Sequence, residues 1–173
     1  MQVKINAVPV RGLNDRGLCD LAALAKERKL SVRFIELMPV GCGAGLEPVL
    51  SGEVRCLMEQ AFGPCKEERE KQGFGPAQYM RPQGFKGSIG LISPVSHAFC
   101  ADCNRIRITA DGRLKLCLNH ASGEDLRAML RSGAGDEALL SVMRTAIFRK
   151  PEMHGFGENI CDREARRMNE IGG

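Results

Sequence analysis

Cys100 and Cys103 form a C-x-x-C pair, and Cys117 follows after thirteen intervening residues. Thiolates are the metal-binding form of cysteine, and the C-x-x-C spacing lets two of them reach one metal centre. Three cysteines can hold a 4Fe–4S cluster with one iron left open, whereas four make the usual closed set. Zinc fits the same spacing, but a structural zinc site is nearly always four-coordinate. His97, His120 or Cys161 could then supply the fourth ligand. Spacing alone leaves both metals open. The other cysteines lack ligand spacing: Cys19, Cys56 and Cys161 fall in helix-like patterns, and Cys42 and Cys65 sit near glycine and proline.

Arg105 and Arg107 follow the pair directly, and their consequence depends on how the segment Phe99–Leu118 (FCADCNRIRITADGRLKLCL) folds. Two alternating runs flank Ala110-Asp111-Gly112, which predicts a hairpin. A two-residue loop of Asp111-Gly112 would set Ile106 opposite Cys117 and mix isoleucines with Arg113 and Lys115. A three-residue loop with Gly112 in the left-handed conformation pairs Thr109 with Arg113 and Arg105 with Cys117. The aliphatic residues Ile106, Ile108, Leu114 and Leu116 then share one face and the charges the other. Burial of one apolar face selects this second register. It brings the third thiol towards the first two, beside an arginine pair suited to an anion.

The elements that must position these groups are those of an α/β protein. Val3–Val10 and Ser31–Leu37 read as strands, with a helix begun by Asn14 and Asp15 between them, so the first third is a βαβ unit with parallel pairing. Ser51 caps a helix over Glu53–Phe62. Gly63–Gly87 shows no period and reads as irregular. Ser88–Val95 reads as a short strand, and helices are expected over Ser122–Arg131 and Asp136–Arg149, the second ended by Pro151. The chain of 173 residues can bury a real core. Its net charge of +4 suits an anionic ligand. One tyrosine and no tryptophan argue against a single-strand nucleic-acid surface. With no apolar run of membrane-spanning length and no signal-like start, a cytoplasmic protein is expected. Eight cysteines in that setting suggest metal or redox chemistry over disulfides.

Beyond spacing, the chain resembles the GTP 3′,8-cyclase family, radical S-adenosylmethionine enzymes of molybdenum cofactor biosynthesis. The resemblance runs through essentially the whole chain, in VKINAV, VRFIELMP, GFKGSIGLISPVSHAFCADCNRIRITADGRLKLCL and the terminal IGG. It implies the C-terminal part of an incomplete TIM-like radical enzyme barrel in residues 1–95. Residues 96–173 would carry the cluster hairpin, helices and a Gly-Gly tail. By resemblance, Cys100, Cys103 and Cys117 hold an auxiliary 4Fe–4S cluster whose open iron meets the guanine of GTP. Arg105, Ile106 and Arg107 bind GTP, both arginines serving catalysis. Lys4 contacts GTP, Arg33 lies near the triphosphate, Met38 contacts S-adenosylmethionine, and Gly172 and Gly173 reach into the site.

The family's other cluster sits on C-x-x-x-C-x-x-C, and these 173 residues contain no such motif. The resemblance therefore implies part of the enzyme, inactive until joined by an N-terminal half. A truncated barrel exposes strand edges, so oligomerisation, such as a homodimer, or a rearranged packing is expected. The product would pass to a pyranopterin monophosphate synthase. Two other classes fit parts of the pattern: a zinc-stabilised, non-catalytic binding module, and an electron-transfer iron–sulfur protein.

Overall fold

The computed structural model describes residues 3–68, 75–156 and 164–171. The chain forms two compact units, Met1–Met38 with Gly45–Phe99, and Pro39–Ala44 with Cys100–Gly173. Among the described residues no helix is long and apolar enough to cross a membrane.

The first unit opens with the expected strand, helix and strand: β1 (Val3–Ala7), α1 (Leu18–Glu27) and β2 (Leu30–Ile35). The strands pair in parallel, from Val3 with Leu30 to Ala7 with Phe34. Asn14 clamps the turn before the helix, accepting from the Val10 amide at 2.8 Å and donating to the Val8 carbonyl at 2.9 Å. Then come α2 (Ser51–Phe62), β3 (Cys65–Glu68), β4 (Gln78–Pro82) and β5 (Ser88–Ile92). The sheet order is β1-β2-β5-β4-β3. β5 runs parallel to β2, β4 antiparallel to β5, and β3 antiparallel to β4.

The strands β3 and β4 correct the expectation of an irregular stretch from Gly63 to Gly87. Cys-Lys-Glu-Glu on β3 is an edge strand with no apolar alternation to read, and charged edges are a usual protection against pairing with other chains. The sheet is therefore mixed, with three parallel strands continued by two antiparallel ones. Its two faces differ. Ile5, Val32, Phe34, Ile89 and Leu91 pack with Leu18, Ala22 and Ala25 of α1 and with Val54 and Met58 of α2. The α1 residues recur at the i, i+4, i+7 spacing of a single helix face. The opposite face carries Lys4 and Asn6, Ser31 and Arg33, and Ser88 and Gly90 in register.

Just past β2, Glu36 organises the strand ends. Its carboxylate, in a residue only 2% exposed, accepts from the Ser51 amide at 2.9 Å, the Val95 amide at 3.1 Å and the Ser96 amide at 2.9 Å. The Ser96 hydroxyl donates to it as well. Glu36 thereby caps α2 from another part of the chain, where an anion is favoured by the helix dipole. Ser51, expected as the cap, is instead the first helical residue, and its hydroxyl accepts from Ser93 at 2.7 Å. Burial pushes the Glu36 carboxyl up, but the hydrogen bonds from Ser96 and Ser51 outweigh it and hold it below its ordinary value.

The second unit holds a small antiparallel sheet, β6 (Arg107–Ile108), β7 (Arg113–Lys115) and β8 (Glu124–Asp125), and two helices, α3 (Leu126–Arg131) and α4 (Asp136–Phe148). The helix expected from Ser122 starts later because Glu124 and Asp125 pair with Leu114 and Arg113. Asp125 then caps α3, accepting from the Ala128 amide at 2.8 Å. Leu114, Leu126 and Ala146 form the buried centre, with Leu116, Met129, Leu139, Val142 and Met143 around it.

Glu36→Gln should lower stability at neutral pH by about 3 kcal/mol, read from the urea midpoint, because charge-assisted bonds are lost and amide donors are left unpaired. The folded-state value is depressed, so this contribution is present above the ordinary 4.5 and fades as the pH falls. The two proteins should therefore converge in acid.

Candidate metal and anion site

Cys100 opens a short 3-10 turn, Cys100–Asp102, and the Cys103 amide donates back to the Cys100 carbonyl at 3.1 Å. Two thiols thus share one turn. They and Cys117 are all free of disulfides and half-buried. Among the described residues, however, no group of three or more Cys, His, Asp or Glu side chains lies close enough to hold one metal ion. The donor chemistry suits a thiolate-held cluster, while the three thiols are not gathered at one centre. Cys117 lines a cavity of about 250 Å³ with His120, Glu124 and Arg149. Buried Asn119 Oδ1 and His154 Nε2 have no partner among the described residues.

The hairpin adopts the register expected from a three-residue loop. Gly112 takes φ +78°, the Thr109 amide donates to the Arg113 carbonyl at 3.0 Å, and Arg107 and Ile108 pair with Lys115 and Leu114. A Cβ on residue 112 would come within 2.7 Å of Arg127 Cβ, so glycine is needed for both its backbone angle and its size. The ladder ends earlier than expected, at Arg107–Lys115, and does not reach Arg105 and Cys117. Lys150, two residues past α4, binds at this end of the segment. Its Nζ donates to the Cys103 carbonyl at 2.5 Å and the Arg105 carbonyl at 3.0 Å. The second of these is the carbonyl that an extended ladder would offer to the Cys117 strand.

The faces also differ from the expected apolar and charged sides. Leu114 is buried as expected, but Ile106 and Ile108 are 40% and 59% exposed. Lys115, expected on an open cationic strip, is only 1% exposed. Its ammonium is bonded to the buried Glu164 carboxylate, which also accepts from Arg166 Nε and Nη2, each at 3.0 Å. Both faces of β7 are covered, and a buried lysine requires such a partner. Burial pushes the Glu164 carboxyl up, but Arg166 and Lys115 outweigh it and bring it down to about 2. Among the described residues, the cations of this segment without a carboxylate partner are Arg105, exposed, and Arg107, half-buried.

In the first unit, Lys4 and Arg33 occupy the polar sheet face on neighbouring parallel strands. Arg33 Nε donates to Asn6 Oδ1 at 2.7 Å. Met38 is half-buried beyond the end of β2. Gly172, Gly173 and Cys161 lie outside the described residues. Glu36, Lys150 and Glu164 escaped the sequence reading, since each acts through partners distant in the chain.

A βαβ-based mixed sheet followed by a three-cysteine hairpin with Arg-x-Arg defines an α/β protein with a candidate thiolate and anion site. The chain belongs to the Molybdenum Cofactor Synthesis C family, which matches residues 30–156. Among curated relatives, a GTP 3′,8-cyclase of Clostridium perfringens strain 13 is 40% identical over 173 residues, covering 100% of this chain and 54% of that protein. The GTP 3′,8-cyclase of Desulforamulus reducens is 41% identical over 174 residues, with 99% and 53% covered. That of Moorella thermoacetica is 40% identical over 173 residues, again with 99% and 53% covered. The chain thus spans about half the length of the curated relatives it matches.

Two outcomes test the hairpin's supports. Glu164→Gln leaves Lys115 buried and uncompensated, and should cost about 3–5 kcal/mol in denaturant unfolding. In the unchanged protein the Glu164 contribution is present above 4.5 and is lost as the pH falls towards about 2. Lys150→Met should cost about 1.5–3 kcal/mol by the same assay, and should speed amide exchange around Cys103 and Arg105.

Proposed function

We propose that this chain supplies the GTP-binding and auxiliary-cluster part of a GTP 3′,8-cyclase acting in molybdenum cofactor biosynthesis. The observation that carries the reading is the hairpin register, which sends the Cys117 strand back towards the end of the hairpin where C-x-x-C and Arg-x-Arg lie. It gains weight from the relatives named GTP 3′,8-cyclase.

In this reading Cys100, Cys103 and Cys117 would hold a 4Fe–4S cluster. Bound there, the cluster would supply an open iron to hold the guanine. Arg105 and Arg107, two residues apart and, among the described residues, without the charge pairing that occupies Lys115, bind the nucleotide with charge-assisted bonds, and Ile106 lies between them. Lys4 and Arg33 serve the phosphates from the polar sheet face, Met38 contacts S-adenosylmethionine, and Gly172-Gly173 reach the substrate. In the whole enzyme S-adenosylmethionine would supply a 5′-deoxyadenosyl radical to take the C3′ hydrogen of GTP, leaving 5′-deoxyadenosine, and closure of C3′ onto C8 of the base would be completed by a one-electron reduction and a proton. Starting that chemistry needs the C-x-x-x-C-x-x-C cluster, absent from these 173 residues. This chain by itself is therefore expected to turn over no GTP. The product would pass to a pyranopterin monophosphate synthase.

A second reading is a non-catalytic zinc module. The observation in its favour is the cavity that Cys117 shares with His120, since histidine is a zinc ligand.

Anaerobic reconstitution separates the two. The proposal expects about four irons and four sulfides per chain, a brown protein, and loss of that iron in Cys117→Ala. One zinc per chain and no sulfide would establish the second reading instead. Arg105→Ala should weaken GTP binding about tenfold or more by calorimetry while leaving the iron content unchanged.

A further inference from the structure

One row of residues crosses the polar face of the five-stranded sheet. Asn6 on β1 stands beside Arg33 on β2, Arg33 beside Gly90 on β5, and Gly90 beside Tyr79 on β4. Arg33 is held from both sides. Towards β1, its Nε donates to Asn6 Oδ1 at 2.7 Å. Towards β5, its stem crosses the space that Gly90 leaves open. A Cβ at residue 90 would lie 3.0 Å from Arg33 Cγ and 2.9 Å from Tyr79 Cε1. The Tyr79 ring, in a residue 6% exposed, fills the other side of the same gap. Gly90 has ordinary strand geometry, so its lack of a side chain matters here for room and not for a backbone angle.

The chemistry of the holding group is informative. Arg11, Arg55, Arg81, Arg113 and Arg166 are each bonded to a carboxylate. Among the described residues Arg33 is held by a neutral amide and pairs with no carboxylate, so the bond orients the guanidinium plane without cancelling its charge. The bond uses Nε and leaves the two terminal nitrogens to bind elsewhere. A planar, oriented, uncompensated guanidinium suits bidentate binding of a phosphate, and fixing it beforehand removes an ordering cost from binding.

We infer that Asn6, Gly90 and Tyr79 are positioning residues that orient Arg33 for the triphosphate of GTP; the inference rests on the proposed assignment of Arg33 to the nucleotide. Asn6 sets the guanidinium plane, Tyr79 supports the stem laterally, and Gly90 makes room for both. None of the three needs to touch the nucleotide.

The test is calorimetric titration of the 173-residue chain with GTP and, separately, with inorganic tripolyphosphate. Asn6→Ala, Gly90→Ala and Tyr79→Ala should each weaken both ligands about fivefold to tenfold. Tyr79→Phe, which keeps the ring, should bind like the unchanged chain. In an Arg33→Ala background the three changes should have almost no further effect, because their action passes through that side chain. Unaltered affinity in all three single variants would overturn the inference. So would losses of equal size with and without Arg33. Asn6 is exposed and lies outside the core, so Asn6→Ala keeps the test decisive if Gly90→Ala folds poorly. Failure of the underlying assignment reads differently: Arg33→Ala itself would then leave GTP and tripolyphosphate binding intact.

Discussion

Both faces of β7 are buried, and that fixes the hairpin. Leu114 enters the apolar cluster of α3 and α4, while Lys115, the next residue, meets the Glu164 carboxylate. A slip of one residue would exchange them. The ammonium would enter the cluster without a partner, and a leucine would face a buried anion. Each error costs several kcal/mol, far more than a hairpin's own hydrogen bonds could offset. The positions of Arg107 and of the strand leading to Cys117 follow from this, so a salt bridge outside the proposed chemistry decides where its groups stand.

The first unit shows a similar economy with a carboxylate and no cation. Glu36 gathers donors from the start of α2 and from the loop after β5. It ties together chain ends that lie on the same side of a parallel sheet, the side where such folds usually carry their sites. The apolar face of that sheet is filled by the two helices, so polar residues can collect only on the other. Lys4, Asn6 and Arg33 are there for that reason.

How much of this was legible depended on the range of the interaction. Gly112 and the alternating aliphatics are local signals, and they specify the three-residue loop. The βαβ unit was legible from period and spacing. Strands β3 and β4 were not, because Lys66, Glu67 and Glu68 on β3 have no apolar alternation and are defined by their neighbours. Lys115 looked like one charge among several until Glu164, 49 residues away, claimed it. Lys150 looked like an unremarkable helix end, yet it holds the Cys103 and Arg105 carbonyls, where alternation had extended the ladder to Cys117. The family resemblance located Lys4, Arg33 and Met38 without explaining their surroundings, and the register supplied Asn6, Gly90 and Tyr79.

The reach of Lys150 also sets an order of events during synthesis. The carbonyls of Cys103 and Arg105 leave the ribosome 47 and 45 residues before the amine that binds them. Until α4 has been made and has folded, the loop bearing the first two thiols has no clasp. There is thus an interval in which Cys100 and Cys103 are already outside while their loop still lacks the contact that later closes it.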